Sequence, residues 1–213
     1  MLPLTFNTPR PLHLLCLGAH CDDIEIGAGG AILRLIAERR VARVDWVVFS
    51  SDDTRAAEAR AAADFFLAGV EQRNVTLHTF RDGFLPYVGA DVKAAFEALK
   101  KQSNPDLILT HHKDDLHQDH RLLAELTWNT FRNHLILEYE IPKYDGNPFS
   151  PNTYVPLDEP TCRRKVEGLT TAFRSQASKP WFSPDTFLAT LRLRGVESAT
   201  PFAEAFACRK AVL

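Results

Sequence analysis

The 213-residue sequence lacks both a long hydrophobic run and an excess of charge of either sign. No stretch approaches the roughly 18 apolar residues that a membrane-spanning helix needs, so we expect no transmembrane segment. The 25 basic and 27 acidic residues nearly cancel, which argues against the broad basic surface of a nucleic-acid-binding protein. We therefore expect no nucleic acid among the partners of this chain.

Cysteine is also scarce, and the sequence has no internal repeat or low-complexity run. The four cysteines show no C-x-x-C spacing, which favours reduced thiols over a disulfide framework. The first ten residues lack a basic start followed by an apolar core, so we predict no signal peptide. The 45% apolar content is typical of a globular chain. Together these features favour a cytoplasmic protein.

Apolar runs of strand length alternate with helical patterns over most of the chain. The predicted strands are residues 12–18, 44–49, 75–80, 107–110 and 135–139, and the predicted helices are residues 27–40, 53–67, 91–101, 121–131 and 162–176. This alternation predicts an α/β fold, a Rossmann-like three-layer αβα sandwich with a mainly parallel sheet and a short C-terminal extension. We expect one domain over residues 1–213, with a core at about 10–141 and a proline-rich loop and C-terminal lobe at about 142–213.

Two predicted loops hold most of the histidine and much of the aspartate. Residues 19–30, AHCDDIEIGAGG, follow the first predicted strand, and residues 111–120, HHKDDLHQDH, follow the fourth. Five of the eight histidines fall in these loops, more than chance would place there. Such sheets present their chemistry in loops beyond the carboxyl ends of the strands. If strands one and four are neighbours, the two loops converge.

Imidazole nitrogens and carboxylate oxygens together form a ligand set for zinc or another first-row divalent metal. His20 and Asp23 are three residues apart, and so are His117 and His120, so either pair can face one point from a turn. A catalytic metal needs about three protein ligands and an open position for water. The two loops therefore predict a catalytic metal site.

The aspartates of both loops allow a catalytic and a structural interpretation. Asp22 could take a proton from a metal-bound water, and Asp119, beside His120, could orient an imidazole. Aspartates that follow a strand are commonly helix caps, which is the simpler interpretation of Asp22, Asp114 and Asp115. We favour the metal site because both loops show the same pattern.

At these residues the sequence resembles the LmbE-like (PIG-L-like) zinc-dependent N-deacetylases, which remove acetyl groups from N-acetylated amino sugars. Residues 19–30 resemble their first motif, A-H-P-D-D before a glycine-rich helix start, and residues 117–120 their second, H-x-D-H. Further stretches at residues 138–154 and 203–206 are also similar, so the resemblance covers most of the chain. One position departs, because Cys21 stands where the family usually has proline; we interpret it as a small buried thiol.

The resemblance implies a metal ligand set and a set of catalytic groups. The matching positions are His20, Asp23 and His120 for the metal, and Asp22 (general base), His117 (stabiliser of the transition state) and Asp119 (orienting partner that keeps His117 cationic) for catalysis. It also implies Zn²⁺ as cofactor, with Fe²⁺ or Co²⁺ as alternatives, and a small-molecule N-acetylated amino sugar or conjugate as substrate. A homo-oligomer is compatible with it.

Three residues outside the two motifs are candidates for substrate binding. Arg55 follows the second predicted strand and could bind substrate oxygens or a phosphate, although a solvated residue in the first turn of a helix explains it equally well. Tyr144 and Asn147 lie in the proline-rich loop and could line the substrate cleft.

The expected function is therefore a metal-dependent N-deacetylase that uses metal-activated water and an aspartate general base. A nucleotide-cofactor enzyme is disfavoured because Gly27 and Gly29 would need a further glycine at Ile32 to complete G-x-G-x-x-G. A serine hydrolase lacks its G-x-S-x-G motif. The alternatives that stay open are a non-haem iron oxygenase, a zinc amidase for a sugar-thiol or antibiotic conjugate, and a non-catalytic binding module.

Overall fold

The computed structural model describes residue 5, residues 8–144, residue 146 and residues 149–212. The strands are β1 (Leu12–Gly18), β2 (Val41–Val48), β3 (Gln72–Leu77), β4 (Leu107–His111), β5 (Leu135–Tyr139), β6 (Thr153–Leu157) and β7 (Phe202–Ala207). The α-helices are α1 (Asp23–Ala37), α2 (Asp53–Phe66), α3 (Gly89–Gln102), α4 (Gln118–Thr130), α5 (Glu159–Ala172) and α6 (Pro184–Ser198). No helix in the described part of the chain combines the length and the apolar content needed to cross a lipid bilayer.

Within the described residues, seven strands form one sheet in the order β3-β2-β1-β4-β5-β7-β6. The strands from β3 to β5 in this order are parallel to one another, whereas β7 is antiparallel to both β5 and β6. This confirms the α/β class and the mainly parallel sheet. It also confirms that the first and fourth strands are neighbours, because Leu14–Cys16 pair with Leu107–Leu109. The loops that follow these two strands consequently begin side by side, at the carboxyl ends of the parallel strands.

Side chains of β1 alternate between two apolar layers, one on each face of the sheet. Leu14 and Cys16 belong to the layer that contains buried residues of α1, α2 and α5, whereas Leu15 and Leu17 belong to the layer that contains buried residues of α3 and α4. Successive residues of a strand point to opposite faces, so a strand covered on both sides is apolar throughout. The three-layer arrangement follows from this pattern.

Helix α1 begins at Asp23, four residues before the predicted start at residue 27. The sequence pattern placed the glycine-rich stretch at the beginning of the helix because glycine is a weak helix former. Here the glycines lie inside the helix, where they permit close packing. A Cβ atom at Gly27 would lie 2.2 Å from Cδ2 of Tyr139, and one at Gly30 would lie 2.5 Å from Cδ1 of Leu157. The glycines therefore allow α1 to approach the sheet closely.

We expect Gly27→Ala to lower the free energy of unfolding by about 1–3 kcal/mol, because the added methyl group overlaps the buried ring of Tyr139. Gly89→Ala is the matched control. It lies at the first position of α3 with helical φ, and nothing approaches its Cβ position within 4 Å. We expect this control to be neutral or stabilising by up to about 1 kcal/mol. Urea unfolding of both variants measures the difference, and equal stabilities would contradict the packing argument.

The proline-rich stretch contains a strand that the sequence pattern did not predict. Pro156 lies inside β6, and proline normally argues against a strand. It is tolerated here because β6 is the last strand of the sheet, at its edge. Helix α5 begins at Glu159, before its predicted start, since the Asp158 side chain accepts a hydrogen bond from the backbone N–H of Thr161. The division into a core and a C-terminal lobe stays a prediction.

Candidate metal centre

The two loops rich in histidine and aspartate come together at the ends of β1 and β4. His111, the last residue of β4, is fully buried, and its Nε2 accepts a hydrogen bond of 3.0 Å from the backbone N–H of Ala19, just after β1. The chain then enters α1 at Asp23 on one side and α4 at Gln118 on the other. The first turns of these two helices and the loops that lead into them supply the side chains of the triangle described next.

Three donor atoms form a compact triangle. His20 Nδ1 lies 3.2 Å from His120 Nε2 and 3.3 Å from Asp23 Oδ2, and His120 Nε2 lies 3.5 Å from Asp23 Oδ2. Two ligands that each lie about 2.1 Å from a tetrahedrally coordinated ion are about 3.4 Å apart. The separations therefore fit one ion of the size and ligand preference of zinc, and the structure brings together the three residues expected to bind it.

Further donor atoms surround this triangle. Among the residues that the structure describes, three overlapping sets have their donor atoms within 4.8 Å of one another: His20–His117–His120, Asp23–His111–His120 and His20–Asp82–Asp119. His111 and Asp82 were not among the predicted site residues. His111 stacks on the ring of His120 with a centroid distance of 3.9 Å, and Asp82 Oδ1 lies 3.0 Å from His20 Nε2. These contacts limit the movement of the two imidazoles.

The electrostatics prepare Asp23 and His120 for a cation. Burial alone would raise the pKa of Asp23, but electrostatic interactions with His120, His111 and His20 hold it well below its usual range. Burial, followed by the charge of His111, lowers the pKa of His120 to about 3. Asp23 is therefore an anion and His120 a neutral imidazole with a free lone pair, which are the forms that bind a metal.

His20 differs from His120 because carboxylates surround it. Burial opposes its protonation, but Asp23, Asp119 and Asp82 raise the pKa of His20 well above its ordinary value. A bound cation would compete with that proton for Nδ1.

Asp22 is buried, and its carboxylate does not cap the helix that follows it. It occupies the N-cap position of α1, but its side chain makes no capping hydrogen bond, so the simpler interpretation as a helix cap is wrong for this residue. Its Oδ1 instead accepts a hydrogen bond of 2.9 Å from Nη2 of Arg55. Burial and the neighbouring charge of Asp23 raise the pKa of Asp22, against the opposing effect of Arg55. A carboxylate with a raised pKa is a stronger proton acceptor.

Asp119 does not orient His117 through its carboxylate, contrary to what the resemblance implied. That carboxylate accepts hydrogen bonds from the backbone N–H groups of Gly83 (2.8 Å) and Leu85 (3.1 Å) and lies 3.2 Å from His20 Nε2. The backbone N–H of Asp119 lies in the first turn of α4 and so has no carbonyl partner within the helix; it donates a hydrogen bond of 3.2 Å to His117 Nδ1. Asp119 is thus a partner of His20, while its main chain contacts His117.

The structure corrects the expectation of a cationic His117. Because Nδ1 accepts a hydrogen bond, the single proton of a neutral imidazole lies on Nε2. Burial and the charge of His20 lower the pKa of His117, and the opposing effect of Asp119 does not reverse this. His117 is therefore a neutral ring with one N–H donor.

The three candidates for substrate binding have different outcomes. Arg55 lies at the site, but its guanidinium group pairs with Asp22, so it is not a solvated residue. Tyr144 is 75% exposed, and it directly follows Lys143, whose ammonium group pairs with Asp115. Asn147 lies outside the described residues.

Cys21, the residue that replaces the usual proline, is a buried thiol as expected. Its Sγ faces the carbonyl oxygen of Ser50 at 3.5 Å, and burial raises its pKa to about 12. It therefore stays protonated and is a poor metal ligand.

A model of the PIG-L family, described as GlcNAc-PI de-N-acetylase, matches residues 15–131, which is more than half of the chain. The chain belongs to the PIG-L family. The match covers β1 from residue 15 through α4 and so includes both histidine- and aspartate-rich loops. The family assignment thus covers every residue of the triangle.

Solved structures share the fold of this PIG-L family chain. They include the conserved protein TT1542 from Thermus thermophilus (22% identity over 95% of this chain and 96% of that chain, TM-score 0.77) and N,N'-diacetylchitobiose deacetylase from Pyrococcus horikoshii (21% identity, 92% and 83%, TM-score 0.72). A third is GalB, the 4-carboxy-2-hydroxymuconate hydratase from Pseudomonas putida (18% identity, 94% and 97%, TM-score 0.76). The hydratase shows that the fold alone does not specify the reaction. Membership of a family whose model is described as a de-N-acetylase supports a deacetylase, a hydrolase that acts on amides.

Proposed function

We propose that this PIG-L family chain is a metal-dependent N-deacetylase that hydrolyses the acetamide of an N-acetylated amino sugar or sugar conjugate. The observation that supports it most strongly is the triangle of His20, Asp23 and His120, with the buried carboxylate of Asp22 adjacent in sequence to Asp23. The description of the family and the chitobiose deacetylase among the structural neighbours suggest the substrate class.

The triangle would hold a divalent cation, with Zn²⁺ as the first candidate and Fe²⁺ or Co²⁺ as alternatives. When bound, such an ion lowers the pKa of a coordinated water to about 7 and polarises the amide carbonyl. His20, after losing its proton to solvent, and His120 would each contribute a neutral nitrogen donor, and Asp23 would contribute one negative charge. The other side chains determine how protons move.

Asp22 is the general base of the proposed reaction. It accepts a proton from the attacking water as a bond forms between the water oxygen and the carbonyl carbon. Nη2 of Arg55 donates a hydrogen bond to Oδ1 of Asp22 and thereby orients the carboxylate. Asp22 then gives the proton to the amine nitrogen as the C–N bond breaks, so the products are acetate and a free amino group. In this assignment Arg55 positions the base, a different task from the substrate binding that its sequence position suggested.

His117 stabilises the negative charge that develops on the carbonyl oxygen. The neutral ring donates a hydrogen bond from Nε2, and its orientation is maintained by the backbone N–H of Asp119 at Nδ1. Removing a donor of this kind typically costs about 3–4 kcal/mol of activation free energy. Asp119 contributes indirectly by holding His20. Tyr144 and Asn147 remain the proposed substrate-binding residues of the proline-rich loop.

The proposal is tested by measuring acetate release from a panel of N-acetylated amino sugars and conjugates, including N-acetylglucosamine and N,N'-diacetylchitobiose. We expect activity from the zinc-loaded protein, loss of activity after chelation, and recovery when Zn²⁺ is returned. Sugar binding without acetate release would instead favour a binding module. Release only from sugar-thiol or antibiotic conjugates would favour the other amidase. A cytoplasmic location and a homo-oligomer are also proposed, to be tested by fractionation and light scattering.

A further inference from the structure

The ring of His120 has a hydrogen-bond partner, Asp115, on the side that faces away from the triangle. Its Nε2 faces His20 and Asp23, while its Nδ1 lies 3.0 Å from Oδ2 of Asp115. An imidazole that donates from Nδ1 to a carboxylate keeps the lone pair on Nε2, which is the atom that would bind the metal. Asp115 therefore selects the form of His120 that the proposed metal site requires.

Asp115 is itself fully buried, and its carboxylate has three partners among the described residues. Besides His120, it accepts a hydrogen bond of 2.7 Å at Oδ1 from the backbone N–H of His117, and its Oδ2 pairs with the ammonium group of Lys143. These contacts connect one carboxylate to a proposed metal ligand, to the proposed oxyanion-stabilising histidine and to a cation. Burial alone would raise the pKa of Asp115, but the interactions with His120 and Lys143 outweigh it and lower that pKa.

Lys143 comes from a third part of the chain, four residues beyond the end of β5. Its side chain is 12% exposed, and its Nζ lies 3.5 Å from His120 Nδ1. A lysine beside a cation site is unfavourable by itself, because the two positive charges repel each other. A buried carboxylate with no counter-charge is costly as well, so Lys143 compensates the charge of Asp115 in the position where Asp115 meets His120.

We propose that Asp115 and Lys143 act together as positioning residues for His120, with Lys143 acting through Asp115. This rests on the proposed function, because it takes His120 as a metal ligand. Loss of either residue frees the imidazole ring to rotate or to change tautomer, and the metal affinity falls.

Charge alone predicts the opposite change in metal affinity when Lys143 is replaced by a neutral residue. Removing a cation close to the site would reduce repulsion and make a divalent cation bind more tightly. Positioning predicts weaker binding, since outer-sphere partners of a metal-binding histidine typically contribute 10–100-fold in affinity. The direction of the change therefore distinguishes the two effects.

The experiment measures the dissociation constant for Zn²⁺ by competition with a chromophoric chelator. The proteins are the wild type, Lys143→Met, Asp115→Asn and the double variant Asp115→Asn/Lys143→Met. Lys113→Met is the matched control, because this half-exposed lysine lies in the same loop as Asp115 and its ammonium group pairs with the exposed Asp114. The thermal midpoint of each metal-free protein, together with its circular dichroism, shows whether it is folded.

We expect each single substitution to weaken Zn²⁺ binding about 10–100-fold and the control to leave it unchanged. In the double variant, Lys143→Met should weaken Zn²⁺ binding by no more than about a further twofold beyond Asp115→Asn. The free-energy changes of two substitutions add when the residues act independently, and they do not add when one residue acts through the other. Lys143→Arg, which retains the charge, should restore most of the affinity. Should Lys143→Met fail to fold, Lys143→Arg and the Asp115→Asn variant still test the pair.

Two outcomes overturn the proposal while leaving the proposed function in place. Either Lys143→Met binds Zn²⁺ as tightly as the wild type or more tightly, or the effects of the two single substitutions add fully in the double variant. A wild-type protein that binds none of Zn²⁺, Fe²⁺ and Co²⁺ would overturn the metal-dependent function together with this proposal.

Discussion

Asp22→Asn is expected to lower the rate constant for acetate release by about 10²–10⁴-fold, the usual contribution of a general acid–base residue. Asparagine is nearly isosteric with aspartate and can still accept the hydrogen bond from Arg55, but it cannot take a proton from water. Metal binding should persist, because Asp22 is not part of the triangle. The measurement is kcat on the best acetylated substrate, with the zinc content of the same sample.

Asp114→Asn is the matched control for that substitution. Asp114 lies in the second loop, and 61% of its side chain is exposed, so the same chemical change there should leave kcat unaffected. If Asp22→Asn turned over as fast as the wild type, the assignment of the base would be wrong, and another group would have to accept the proton.

His120→Ala is expected to have the largest effect on metal binding. The ring provides one corner of the triangle, and the loss of a direct ligand should exceed the 10–100-fold typical of outer-sphere partners. In the wild type, zinc at about 100 times its dissociation constant should stabilise the fold by about 2.7 kcal/mol and raise the thermal midpoint by about 5–10 °C. The variant should show no such rise and no acetate release.

His134→Ala is the control for this experiment. His134 immediately precedes β5, at the end of the sheet opposite to the triangle, and its Nε2 lies 3.3 Å from the amide oxygen of Asn104. We expect the control to keep both the zinc-dependent rise in melting temperature and the activity. An equal rise in His120→Ala would show that the cation binds to another set of donors.

Local patterns were enough to predict the strands near the site and the two loops that meet there, and the resemblance to the LmbE-like deacetylases implied the three residues of the triangle. Alternating strands and helices imply a parallel sheet, and in such a sheet polar loops after neighbouring strands converge. His20 and Asp23 are close in the chain, so their mutual distance depends only on the short turn that leads into α1. The position of His120 relative to them required only that β1 and β4 be neighbours, which the structure confirms.

Other features depend on distant parts of the chain and left no local signal. The start of α1 was misplaced because glycines that weaken an isolated helix are tolerated where Tyr139 and Leu157 pack against them. The strand β6 was missed because its proline is acceptable only at the edge of a sheet, and a sequence does not reveal which strand lies at the edge.

The amino-acid sequence by itself determined the family and the fold class, since these are encoded in short motifs and in the alternation of strand and helix patterns. The resemblance to the family then implied which residues bind the metal. Only the tertiary structure decided that Asp119 faces His20, that Arg55 pairs with Asp22, and that Asp115 and Lys143 hold His120. The partner of a side chain depends on which groups the folded chain places near it and on how far both are removed from water. Buried carboxylates pair with whichever donors the packing brings within about 3 Å of them.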